Sequence, residues 1–156
     1  MVNTQYSSNS NFCPKPVAEF ITTKHHFVIP SYQRGYRWEE KQVVDLLEDI
    51  CEFAKQDKED SYYLQPLVVK PCKWTDADGV QIDAWEVLDG QQRLTTLRLI
   101  LMFIFEYGLM PLEKKIFTPD KIYNLTYTNR PQLDFENPKP QDNIDNYYLA
   151  VAKNVI

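Results

Sequence analysis

Asp89-Gly90-Gln91-Gln92-Arg93 sets a carboxylate, a residue without a side chain, two amides and a guanidinium in consecutive positions, with the hydroxyls of Thr95 and Thr96 close behind. Glycine lets a ligand approach the backbone, the amides both donate and accept, and arginine presents a planar fork of donors. Trp85, Val87 and Leu88 before this run are β-formers. After it, Leu94, Leu97, Leu101, Ile104 and Phe105 recur at helical spacing, and Leu99, Ile100, Met102 and Phe103 make the other faces apolar too. The pattern predicts a strand, a tight turn and a buried helix. Such a turn leaves unpaired N–H groups at the positive end of the helix dipole, where a phosphate binds well. A plainer alternative stands beside it, with Asp89 as N-cap and Gln92 completing a variant capping box. The cap leaves Arg93 unexplained, because a cation at a helix N-terminus is unfavourable unless an anion is present.

A second stretch, Ser31–Trp38, reads SYQRGYRW. Aromatic faces and guanidinium forks around Gly35 suit base stacking and phosphate contact. The alternative is a loop whose aromatics cover the core while Arg34 and Arg37 reach solvent.

Other elements must bring these stretches together. Phe27–Ile29 reads as a strand end stopped by Pro30. Glu39–Ala54 is a helix with Val43, Leu46, Leu47, Ile50, Phe53 and Ala54 on one face and acidic residues outside it. Tyr62–Lys70 and Val80–Leu88 form a hairpin around the Asp78-Gly79 turn, with Pro66 marking an edge or a bulge. Gly108 and Pro111 end the long helix, Ile122–Thr128 is a further strand, and Asp142 or Asn143 caps a last helix carrying Ile144, Tyr147, Tyr148 and Val151. Residues 1–16 are expected to be disordered or loosely attached, with a short amphipathic helix at Val17, Phe20 and Ile21. The expected fold class is α+β, a small mixed β-sheet with packed helices.

Composition narrows the function. The 156 residues hold 17 basic and 22 acidic side chains, a net charge of −5, which argues against a general nucleic-acid binder but not against a local basic pocket. The three cysteines, Cys13, Cys51 and Cys72, show no metal-ligand spacing, and a reducing cytoplasm suits them. The longest apolar run is too short to cross a bilayer, so no membrane partner is expected. Neither G-x-x-x-x-G-K-[ST] nor G-x-G-x-x-G occurs, and adjacent His25 and His26 would point to opposite faces of a strand.

The two stretches IPSYQRGYRW and DGQQRLTTL together resemble the N-terminal domain of GmrSD-type restriction systems, a family similar to the ParB/sulfiredoxin-like fold. The resemblance runs from about Phe27 to the end of the chain, and it implies one domain over residues 17–156, truncated at its C-terminus. It implies phage defence, nucleotide binding and hydrolysis through DGQQR, sensing of modified DNA in some members, and a nuclease domain that follows. DNA cleavage is not expected of these residues, and the chain is at most a nucleoside triphosphatase. The implied catalytic residues are Asp89, Gln91 and Gln92; the implied nucleotide-binding ones are Gln33, Arg34, Tyr36, Trp38, Gly90, Arg93, Thr95 and Thr96. In the expected mechanism Arg93 and the turn N–H groups hold the phosphates, Arg34 faces them, and Tyr36 or Trp38 stacks the base. Asp89 holds Mg2+ or orients water. Two alternatives remain. One is a non-enzymatic DNA-sensing or protein-docking module using Arg34, Arg37, Arg93 and Arg98. The other is purely structural, with Arg93 paired to a carboxylate such as Glu86.

Overall fold

A computed structural model describes residues 15–17, 19, 25–56, 61–76, 78–109, 122–128, 130 and 133–156. The elements in chain order are β1 (His26–Ile29), α1 (Glu40–Ala54), β2 (Val68–Thr75), β3 (Gln81–Asp89), α2 (Gln91–Glu106), β4 (Asn124–Tyr127) and α3 (Ile144–Val155). Residues 1–14 and most of the expected helix around Val17, Phe20 and Ile21 lie outside the described residues.

The four strands make one sheet in the order β2-β3-β1-β4. β1 runs parallel to both β3 and β4, with Phe27 opposite Trp85 and Leu125, whereas β2 and β3 are antiparallel. The fold is therefore α+β with a mixed sheet. The hairpin turn forms as expected: Gly79 takes a φ of 79°, and the Asp76 carboxylate accepts from the N–H groups of Asp78 and Val80. The first hairpin strand is displaced from its expected place. It spans Val68–Thr75 rather than Tyr62–Lys70. It is an edge strand with an irregularity between Val68 and Val69, so it tolerates Pro71 within it.

Helix α2 explains why its sequence is apolar nearly all round. Leu94 and Leu101 pack with Phe27, Ile29, Val87, Leu125 and Tyr127 of the sheet. Leu99 belongs to a second core with Tyr36, Val43 of α1, and Leu149 and Ala152 of α3. One helix thus divides two cores and is wetted on little of its surface. Asn143 caps α3, its side chain accepting from Asn146 N–H at 2.8 Å. No helix among the described residues is long and apolar enough to cross a membrane.

Candidate functional site

The chain leaves β3 at Asp89 and enters α2 at Gln91, so Gly90 alone makes the turn. It is the N-cap, with φ 93° and ψ 10°, and no side chain caps the helix. The expected Asp89 cap does not form. Asp89 still belongs to β3, opposite Val68, and Gln92 points elsewhere. The first backbone N–H of α2 with a helical partner is that of Leu94, bonded to Gly90 C=O at 3.0 Å. The preceding amides therefore remain at the positive end of the dipole without a cap.

The turn also demands glycine. A left-handed backbone costs an L-residue about 1–2 kcal/mol, and a Cβ here would stand 3.0 Å from Leu67 Cδ1 and 3.4 Å from Arg93. Gly90→Ala is accordingly expected to lower the unfolding free energy by about 1–2 kcal/mol in urea titration. An unchanged midpoint would contradict this turn geometry.

The second stretch docks beside that turn. β1 ends at Pro30, and beyond it the Gln33 amide donates to the carbonyls of Val87 and Leu88, at 2.9 and 2.8 Å. Gln92 reaches back from α2. Its Oε1 accepts from Arg37 N–H at 2.8 Å, and its Nε2 donates to Gly35 C=O at 2.9 Å. Two glutamines, one from each stretch, thus lock the stretches together. Between them lies a cleft of about 360 Å³ lined by Gln33, Arg34, Trp38, Asp89, Gly90, Gln91, Gln92 and Arg93.

Every residue lining that cleft was singled out in the sequence, but Tyr36, Thr95 and Thr96 are not among them. All three are fully buried behind the wall. Each threonine donates its single hydroxyl proton to the carbonyl one turn back, Thr95 to Gln91 and Thr96 to Gln92. Each must then accept from a tyrosine: Tyr127 to Thr95 at 2.7 Å, and Tyr36 to Thr96 at 2.8 Å. Burial pushes the Tyr127 hydroxyl up to about 12 and Tyr36 further above the usual phenol range, so both stay protonated and donate. These groups stiffen the first turn of α2; they offer a ligand no surface. Trp38 is the aromatic that lines the cleft. Gln92 likewise has both atoms of its amide engaged within the protein, which makes it a tie between the two stretches.

The charges in the cleft are arranged unusually. Arg93 donates to Gln65 Oε1 at 2.5 Å and to Pro66 C=O at 3.0 Å, both neutral acceptors. It does not meet Glu86, which is held by Lys70 at 3.0 Å and by the Tyr32 hydroxyl at 3.0 Å. The Lys70 ammonium keeps the Glu86 carboxyl below its ordinary range. Arg34 is exposed and makes no ion pair with a carboxylate among the described residues. Gln91 is 6% exposed, and its Oε1 has no hydrogen-bond partner among the described residues. An acceptor left so costs about 1–3 kcal/mol unless a ligand or water supplies a donor.

Two of the four arginines that a DNA-backbone surface would use are engaged within the protein. Arg37 bonds Asp145 and lies over the Tyr148 ring. Arg98 bonds Tyr123 C=O and lies over the Phe135 ring, and burial lowers its pKa.

Spacing could not show the Asp145 cluster. The Asp145 carboxylate, 8% exposed, receives Arg37 on one oxygen and Arg130 on the other, the latter at 2.8 Å. Its sequence signal, an acidic residue in the first turn of a capped helix, reads only as a favourable dipole charge.

The GmrSD restriction endonuclease N-terminal domain family matches residues 17–154. The chain belongs to that family. It is therefore a domain of a restriction system. No curated protein and no solved structure matches the chain. The GmrSD match spans both stretches that form the cleft, helices α1 and α2, and all of α3 but its last residue.

Proposed function

We propose that the cleft binds a nucleoside triphosphate and serves as the regulatory or sensor site of the restriction system, whose nuclease domain acts on DNA, modified DNA included. The observation that carries this is the pairing of Arg34 and Arg93 on one cleft at the uncapped start of α2, neither with a carboxylate partner among the described residues. Two unneutralised guanidinium groups beside open N–H groups suit a polyanion, and Asp89 leaves the charged lining net positive in a protein of net charge −5. Trp38 provides the face for the base.

Asp89 is a lone carboxylate, and among the described residues no three His, Cys, Asp or Glu gather into a metal cage. That donor set fits Mg2+ arriving with the nucleotide, which takes one carboxylate and fills its shell with phosphate oxygens and water. Bound there, the ion would offset charge on the β- and γ-phosphates. For hydrolysis, the Gln91 amide, whose Oε1 is enclosed and without a partner among the described residues, turns into the cleft to accept from the attacking water and fix its orientation. The water oxygen bonds to the γ-phosphorus and the bond to the β,γ-bridging oxygen breaks. The nucleoside diphosphate leaves with the electron pair, and the water proton passes to a non-bridging oxygen of the γ-phosphate, since Asp89 would be taken up by the ion.

Calorimetric titration of ATP, GTP, CTP and UTP with Mg2+ tests the proposal. Saturable binding of at least one is expected, weakened about 10- to 100-fold in Arg93→Ala, as loss of a charge-assisted contact implies. No binding to the wild type, or equal affinity in the variant, rules it out. The cytoplasm, where nucleotides and DNA meet, is the compartment this activity requires.

A further inference from the structure

We propose that Asp145, on α3, is a positioning residue for the cleft, holding the Gln33–Trp38 wall at its working distance from α2. This rests on the nucleotide reading above. Arg37, bonded to Asp145, also donates to Tyr36 C=O at 2.5 Å. Arg130, bonded to the other carboxylate oxygen, also donates to Gln33 C=O at 3.4 Å. Between those carbonyls lies Gly35, so close that a Cβ would stand 1.7 Å from Asp145 Oδ1. The wall is therefore held on one side by Gln33 and Gln92, and on the other by a single carboxylate acting through two guanidinium groups.

Beside Gln33, the wall lines the cleft with Arg34 and Trp38, on either side of that anchor. Arg34 forms no ion pair of its own among the described residues. Its place thus follows from the backbone that Asp145 fixes. A buried ion pair seldom adds net stability over apolar packing, but it does define one geometry. Misplacing a binding group by about 1 Å is enough to cost as much as ~100-fold in function.

The test compares wild type, Asp145→Asn, Arg130→Gln and, as a stability control remote from the cleft, Leu125→Ala on β4. Hydrogen–deuterium exchange is followed over residues 33–38, together with Mg-ATP affinity of the folded protein. In Asp145→Asn, exchange is expected to rise selectively over 33–38, including the Arg37 N–H held by Gln92, and affinity to fall ~10-fold or more. Arg130→Gln, keeping the Arg37 tie, should show a smaller change of both. Leu125→Ala should lose comparable or greater thermal stability without either effect. Uniform loosening of Asp145→Asn with unchanged affinity overturns the proposal. If Asp145→Asn does not fold, Arg130→Gln decides by the same two readouts. If the wild type binds no nucleotide, the nucleotide reading falls, while exchange over 33–38 still decides whether Asp145 holds the wall.

Discussion

Gly35→Ala is expected to cost about 3 kcal/mol or more, a large part of the roughly 5–15 kcal/mol that holds such a domain folded. The new methyl would lie 1.7 Å from Asp145 Oδ1, 2.5 Å from Asp145 Cγ and 2.9 Å from Arg130 Nη1. No flexible chain end is available to yield. The carboxylate is pinned between two arginines, and turning it aside leaves both without their counter-charge where they are only 26% and 29% exposed. Urea denaturation checks this as a lower midpoint at unchanged slope. The clash is specific, so a cycle isolates it. In an Asp145→Ala background the two nearest obstructing atoms are gone and only the end of the flexible Arg130 side chain has to yield, so adding Gly35→Ala should cost under about 1 kcal/mol. Equal costs in both backgrounds would place the penalty elsewhere, in the backbone of the segment itself.

This glycine shows where sequence reasoning stops. Gly35 invites a functional explanation, because it sits among arginines and aromatics in a stretch that suits a ligand. Its cause is instead a carboxylate on α3, far along the chain, and no periodicity encodes that contact. The same holds for Tyr36. In a loop, tyrosine serves equally to stack a base or to fill a core, and only the arrival of Val43, Leu99 and Leu149 around it decides for the core. What was legible has local causes. The strand–turn–helix at Trp85–Leu101 follows from β-formers, a glycine and helical spacing, and the α3 cap at Asn143 from side-chain chemistry. Joint lining of one cleft by the two motif stretches was expected from the arginines both carry and from the family resemblance, whereas the glutamine ties that join them were not legible. The hairpin's first strand was misplaced where local and tertiary causes compete. Tyr62 and Tyr63 have high β-propensity, yet Gln65 and Pro66 are recruited to hold the Arg93 fork, so pairing starts only at Val68.

Gln92 gives the second large effect, and it separates two roles that one residue type could play. As a group handling water, its loss would leave the fold intact and lower turnover alone. As the tie between the stretches, its loss strands two partners. Gln92→Leu preserves the volume but leaves Gly35 C=O and Arg37 N–H without acceptable partners, at about 1–3 kcal/mol each for buried groups. With some return from the added apolar side chain, the expected loss is about 2–4 kcal/mol in urea denaturation. Gln92→Glu sharpens the distinction. A carboxylate still accepts from Arg37 N–H but meets Gly35 C=O with like polarity, so it should lie between wild type and Gln92→Leu in stability. Gln92→Leu with wild-type stability and lost nucleotide turnover would return the residue to the chemistry. A stability loss that tracks the number of broken bonds would instead show that the cleft's two walls are joined by this amide.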